Sequence, residues 1–321
     1  MKNTFTFNFN DISKYRTQLM GVSILVIMFF HCGLIPYGHI GVEFFLCISA
    51  IGLFYSLKKN PDTVQFYKRR LVRILPTYFF LMIPYLFIYS YYHEDESFGD
   101  LCAILFQIRT LTETMNWSQW FISLILICYG ITPFFFKHSK YLLSLWFLIP
   151  FTIFIFSFQE YVTPSYLLAR IPVFLISLKF ASSVYEKKVI HLGTLIALIF
   201  GTVLFIFFSN KFFSEKLPDF NFIGLVFLLL TVPLISLITK CIAYLPNIFL
   251  SILSFFGKIS LELYLCHEVL KYAISKIYFQ GQEDWSITNI LIISALSFIV
   301  AIPTAYLAHL VVDVTMKVIK K

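Results

Sequence analysis

Charge is what this sequence has least of. Only 13% of its 321 residues are Asp, Glu, Lys or Arg, about half the share found in a soluble domain. A chain so poor in charge cannot cover a water-facing surface, which excludes an ordinary soluble fold. Paired cysteines are missing too. Cys32, Cys47, Cys102, Cys128, Cys241 and Cys266 form no CxxC and no Cys/His metal spacing, so no metal is expected. All six lie in or beside apolar runs and are expected to be buried, inert thiols. No cleavable leader is expected: the first sixteen residues are polar and mixed, and the apolar stretch after them runs on into others. There is no repeat of solenoid period and no loop long enough to hold a separate soluble domain, so residues 1–321 read as one unit whose function sits within its helices.

What is present is hydrocarbon. Hydrophobic residues make up 59% of the chain, and Phe leads the 19% that are aromatic. Crossing a bilayer takes about 20 mostly apolar residues, and ten segments meet that test, near 17–36, 40–57, 74–92, 118–136, 141–158, 165–184, 189–208, 221–239, 248–268 and 289–312. The fold class expected is all-α, a polytopic membrane bundle of about ten helices. The short run Leu101–Ile108, ending at Arg109, reads as interfacial or re-entrant.

Basic residues give the orientation. The loop after the second segment carries Lys58, Lys59, Lys68, Arg69, Arg70 and Arg73, which puts it in the cytoplasm. Alternation adds the N terminus (Lys2, Lys14, Arg16), Lys137–Lys140, Glu186–Lys188, Lys240 and the Lys317–Lys321 tail to the same side. Residues 93–100, 159–165, 210–220 and 280–286 then face outward, and both termini are cytoplasmic. The net charge of +8 is accounted for by these loops and calls for no nucleic-acid partner. The lipid bilayer is the partner implied throughout, and a homo-oligomer is among the states allowed.

Several polar side chains share one depth. "VSILVIMFFHCG" (22–33) carries His31 toward the outer end of the first segment, and "GHIGVEFFLCIS" (38–49) carries Glu43 early in the next. The short connection makes the two segments antiparallel neighbours, so His31 and Glu43 are expected to face each other. A carboxylate in a membrane segment needs a partner or a wet cavity, and one beside an imidazole raises its basicity as a general base requires. His31 as a boundary residue, and the pair as a mere lock between helices, are the plain alternatives. His39 is expected to be solvated in the loop. In "GKISLELYLCHEVL" (257–270), Ser260, Tyr264 and His267 stand four and three apart on one helical face, while Glu268 is expected to reach up to the interface. At the other end, Arg70 and Arg73 stand three apart with Arg69 beside them. Their forks suit a phosphate-rich ligand from the cytoplasm, although basic residues also flank helices for topology alone.

Together these stretches resemble the acyltransferase 3 family, bacterial integral-membrane enzymes that O-acylate extracytoplasmic carbohydrates. "GHIGVEFFLCISAIGLFYSL", "FYKRRLVRILPTYFF", "WSQWFISLILICYGITP", "LARIPVFLISLKFA" and "GKISLELYLCHEVL" are each similar to a family block, in order along most of the chain. The resemblance implies a multi-pass protein of the bacterial cytoplasmic membrane with no bound cofactor. Its co-substrate is cytoplasmic acyl-CoA, acetyl-CoA above all, and its acceptor a sugar hydroxyl. It further implies a catalytic role for His31 and a donor-binding role for Arg70 and Arg73. The family arginine expected eleven residues before the histidine is here Met20; Arg16, one turn below and about 60° around the helix, could supply the missing charge. Tyr264, Ser260 and Trp120 are candidate donors to an oxyanion, with His267 beside them. Direct transfer and an acyl-histidine relay both stay open. The rival class is a proton-coupled transporter or flippase with His31 and Glu43 as its relay. Prolines 84, 150, 172, 233 and 303 lack the paired positions that transporter repeats display.

Overall fold

Backbone inside lipid must satisfy its own hydrogen bonds, so apolar runs of this length become helices. The computed structural model describes residues 5–93, 96–112, 120–158, 165–213, 219–279 and 286–319 and is 86% helical. Its helices are α1 (Asn10–Lys14), α2 (Arg16–His31), α3 (Ile40–Lys59), α4 (Thr63–Tyr92), α5 (Phe98–Leu105), α6 (Ile108–Thr112), α7 (Trp120–Lys137), α8 (Ser139–Leu142), α9 (Leu145–Phe158), α10 (Ser165–Leu168), α11 (Ile171–Tyr185), α12 (Leu192–Phe213), α13 (Asp219–Ile242), α14 (Asn247–Lys258), α15 (Ser260–Phe279) and α16 (Ile287–Ile319). A small antiparallel ribbon pairs β1 (Thr6–Asn8) with β2 (Val189–His191). Among the described residues, α3, α4, α7, α13 and α16 are long and apolar enough to cross a membrane, and the bent pair α14–α15 makes a sixth. α2, α9, α11 and α12 offer shorter apolar stretches of 10–17 residues.

Where segment and helix differ, the cause is local. α4 starts at Thr63 instead of 74, because the Asp62 side chain accepts from the Val64 and Gln65 N–H groups and caps it. At thirty residues it is about 45 Å long, more than a bilayer core needs, so its arginines ride on a rigid helix instead of a loop. The segment near 165–184 breaks at Ala169–Arg170, with Arg170 as the N-cap of α11 and Pro172 in its first turn. The segment near 248–268 bends by 72° between Lys258 and Ser260, and α15 continues to Phe279. At that elbow the Ser260 hydroxyl donates to the Gly257 carbonyl at 3.0 Å, replacing a bond that the bend removes. α14 meets α2 backbone to backbone: a Cβ on Gly257 would stand 1.8 Å from the Thr17 carbonyl oxygen, and one on Gly21 2.0 Å from that of Leu253.

Ends expected to share a side lie together. Lys240 Nζ donates to the Thr6 carbonyl, Phe9 N–H to that of Lys188, and Lys58 lies over the Phe54, Phe136 and Tyr185 rings. Most of the opposite loops, namely residues 94–95, 159–164, 214–218 and 280–285, fall outside the described residues, as do Lys2, Lys320 and Lys321. The run Leu101–Ile108, read as interfacial or re-entrant, is broken into two short helices. α5 and α6 are separated at Gln107, whose φ is 61°. This buried side chain donates to Tyr78 Oη at 2.7 Å and accepts from Ser123 Oγ at 2.9 Å, and Tyr78, halfway along α4, donates to the Leu105 carbonyl. Arg109 pairs with Glu96 (2.8 Å) and Asp100 (3.2 Å). Hydrogen bonds from Ser97 draw the Asp100 carboxyl below its usual range. Two thiols depart from expectation: Cys241, at the end of α13, is exposed, and Cys102 of α5 is only half-buried.

Candidate active site

Two centres form on α2, one at each end. At the first, Arg16, Met20, Arg70, Arg73, Tyr129, Ser260 and Tyr264 line a cavity together with Phe45, Ser49, Leu53, Ile74, Phe121, Ile125 and Leu261. Helix register explains the convergence. Phe66, Arg70, Arg73 and Thr77 lie on one stripe of α4, and Phe66 and Thr77 are buried in the bundle, which brings half-buried Arg70 and still-exposed Arg73 to the cavity. Arg69, about 100° from Arg70 and 40° from Arg73 around the helix, turns the other way and reaches Ser56 Oγ at 3.5 Å. Arg69 is therefore not part of the cavity. Met20 and Arg16 line the same wall, so the guanidinium missing at position 20 has a counterpart within the cavity itself. The described lining residues include no carboxylate; three guanidiniums face a space suited to an anion.

The second centre is where α2 stops. Gly33, with φ +70°, lets the Gly33 N–H reach the Phe30 carbonyl and the Leu34 N–H that of Phe29. This glycine-based stop leaves His31 as the last helical residue. Its carbonyl accepts from Lys271 Nζ. Its ring Nδ1 lies 2.8 Å from His267 Nε2 and 3.3 Å from Glu268 Oε1. Tyr264, His267, Glu268 and Lys271 follow the i, i+3, i+4, i+7 pattern of one helix face, so α15 presents all four along one side. Tyr264 joins the centres: it lines the arginine cavity, accepts from the Phe121 N–H at 3.2 Å and offers its carbonyl to His267 Nδ1 at 3.0 Å.

The expected contact between His31 and Glu43 does not form. Gly41 packs on Ser23 and Ile27 of α2, and two further residues rotate the helix by about 200°. Glu43 therefore points away from α2 to the start of α11, where it pairs with Arg170; the carboxylate is 1% exposed. Arg170 lies 4.9 Å from the Trp120 ring centroid, so Trp120 covers this ion pair. Two smaller expectations change as well. His39 is packed between the Phe30 and Phe227 rings instead of being solvated, and Glu268 turns to His31 instead of to the interface. Arg170, Lys271 and Tyr129 escaped the sequence reading. For Arg170 a signal existed: an arginine within an apolar run demands an acid. A further pair, buried Glu262 with half-exposed His309 Nδ1 at 3.0 Å, ties α15 to α16. Among the described residues no cluster of three or more His, Cys, Asp or Glu could hold a metal ion.

A family profile described as an acyltransferase domain matches residues 18–309, nearly the whole chain. Neither a curated protein nor a solved structure matches.

Proposed function

The chain belongs to the acyltransferase 3 family and is therefore an acyl-transferring, membrane-embedded enzyme, and from that premise we propose that it carries an acyl group, an acetyl by the family resemblance, from cytoplasmic acyl-CoA to a sugar hydroxyl on the outer side of the bacterial cytoplasmic membrane. The observation that carries this reading is that α2 and α15 both run from the arginine cavity to the His31–His267 centre. The phosphates of CoA rest among Arg16, Arg70 and Arg73. The acceptor oxygen attacks the thioester carbonyl carbon while His31 takes the hydroxyl proton. The C–S bond then breaks, and the proton passes to the departing thiolate. Tyr264, whose hydroxyl oxygen accepts from the Phe121 N–H and carries its own proton, is the candidate donor to the oxyanion; the Ser260 proton is held by the Gly257 carbonyl, and Trp120 acts through Arg170. The transporter alternative loses its relay once Glu43 is committed to Arg170.

Replacing Arg70 and Arg73 together by Gln is expected to raise the KM for acyl-CoA tenfold or more, because each lost hydrogen bond to a charged group costs about 1.5–3 kcal/mol. Lysines at both positions restore the charge without the fork and rescue in part. An unchanged KM in a normally expressed Gln pair rejects the donor site.

The reading also requires ten crossings with both termini in the cytoplasm. In a variant lacking the exposed Cys241 and the half-buried Cys102, a membrane-impermeant maleimide is expected to label Phe98→Cys on intact cells and Lys59→Cys only after permeabilisation. The reverse pattern inverts the orientation and removes the assignment of donor and acceptor sides.

A further inference from the structure

Carbonyl oxygens only accept hydrogen bonds. His267 Nδ1 lies 2.8 Å from the Leu263 carbonyl and 3.0 Å from that of Tyr264, so this nitrogen carries a proton. The other nitrogen of a neutral imidazole is then bare, and His267 Nε2 is the acceptor in its 2.8 Å contact with His31 Nδ1. The proton in that contact belongs to His31, which leaves His31 Nε2 as a lone-pair nitrogen. The rings agree with this assignment. Their planes differ by 10° and their centroids are 5.1 Å apart. With the two nitrogens already at hydrogen-bond distance, that separation is the bond plus the radii of two rings. The imidazoles therefore meet edge to edge in nearly one plane, the N–H aimed along the lone pair. Glu268 Oε1, 3.3 Å from the same Nδ1, is a second acceptor for the same proton.

We infer that His267 is a positioning residue that fixes His31 in its Nδ1–H tautomer, so that Nε2 of His31 is the nitrogen presented to the substrate. When Nε2 takes the acceptor proton, the new charge on His31 is shared across Nδ1–H with His267 and faced by the Glu268 carboxylate. The groups around His31 are His267, Glu268 and Lys271 on α15 and His39 from the connection before α3. Among these, Glu268 alone can offset an imidazolium, while Lys271 is engaged by the His31 carbonyl. Only the use of the tautomer rests on the proposed acyl transfer; the tautomer itself belongs to the resting protein.

Two measurements separate these parts. Nitrogen NMR of the full chain, labelled at histidine and reconstituted in lipid, is expected to show His31 with protonated Nδ1 and bare Nε2 at neutral pH, its signals assigned by their loss in His31→Gln. A resting His31 with protonated Nε2 overturns the inference whether or not the chain transfers acyl groups. In the second measurement His267→Gln is compared with His267→Leu. Gln keeps both an acceptor for His31 and a donor for the Leu263 carbonyl but cannot titrate; Leu keeps neither. His267→Gln is expected to hold kcat within about tenfold of wild type, the worth of one hydrogen bond, and to shift the acidic limb of the pH–rate profile. His267→Leu is expected to lose about a hundredfold or more and to release the His31 tautomer, with the KM for acyl-CoA steady in both. Equal, near-complete loss in the two variants would make His267 itself the base and His31 its support, against the inference.

Discussion

His31→Gln is expected to lower acyl transfer by a factor of about 10² to 10⁴ while acyl-CoA binds as before. Glutamine keeps a polar side chain of similar size and can still hydrogen-bond to His267, but it cannot take and hold a proton. The donor should be indifferent to the change, because Arg16, Arg70 and Arg73 line a cavity fifteen residues down α2 from the imidazole. Transfer of labelled acetyl from acetyl-CoA, measured on purified protein in liposomes beside an acyl-CoA binding assay, separates the two effects. Near-normal transfer by a folded His31→Gln protein would return this histidine to the role of a boundary residue.

Glu43→Gln is expected to act on stability first. Its carboxylate pairs with Arg170 in the bundle interior, and removing one partner leaves a buried charge uncompensated, at a cost of about 3–5 kcal/mol. Thermal unfolding in detergent should show a large loss. Adding Arg170→Met to the same chain should recover part of it, because the two residues share one interaction and their effects do not add. Unchanged stability in Glu43→Gln, joined to a pH–rate profile altered as in the His267 variants, would restore Glu43 to the histidine centre.

Hydropathy made the all-α, membrane-embedded class legible, since lipid leaves a backbone few other conformations; among the described residues, five helices and one bent pair are long and apolar enough to cross. Spacing also made the cavity-lining pair Arg70 and Arg73 legible, and the face shared by Ser260, Tyr264 and His267. What stayed hidden was rotation and long-range partnership. A run of apolar residues around Glu43 gives no amphipathic stripe to say which way the carboxylate points, and its partner lies 127 residues away on α11. Nor does apolar length reveal breaks within a run: the turn at Ala169–Arg170 and the bend before Ser260 both sit inside stretches hydrophobic enough to read as single rods. The partner of His31 was hidden for the same reason, because the bend redirects α15 and lays His267, Glu268 and Lys271 against the end of α2.

Helix α2 has Arg16 as its first residue and His31 as its last. A helix has a fixed rise, so the two α-carbons stand about 22 Å apart, and packing against α3 and α14 leaves α2 little room to change that length. It is a ruler. A donor whose anionic end rests among the arginines can bring a reacting carbon to the imidazole only if the arm between them has matching reach. On the proposed donor site, a long carrier is expected to pass this gauge and a compact activated acyl such as acetyl phosphate to fall short of it. The donor would then be selected by a distance along one helix, in addition to any contact with the acyl group itself.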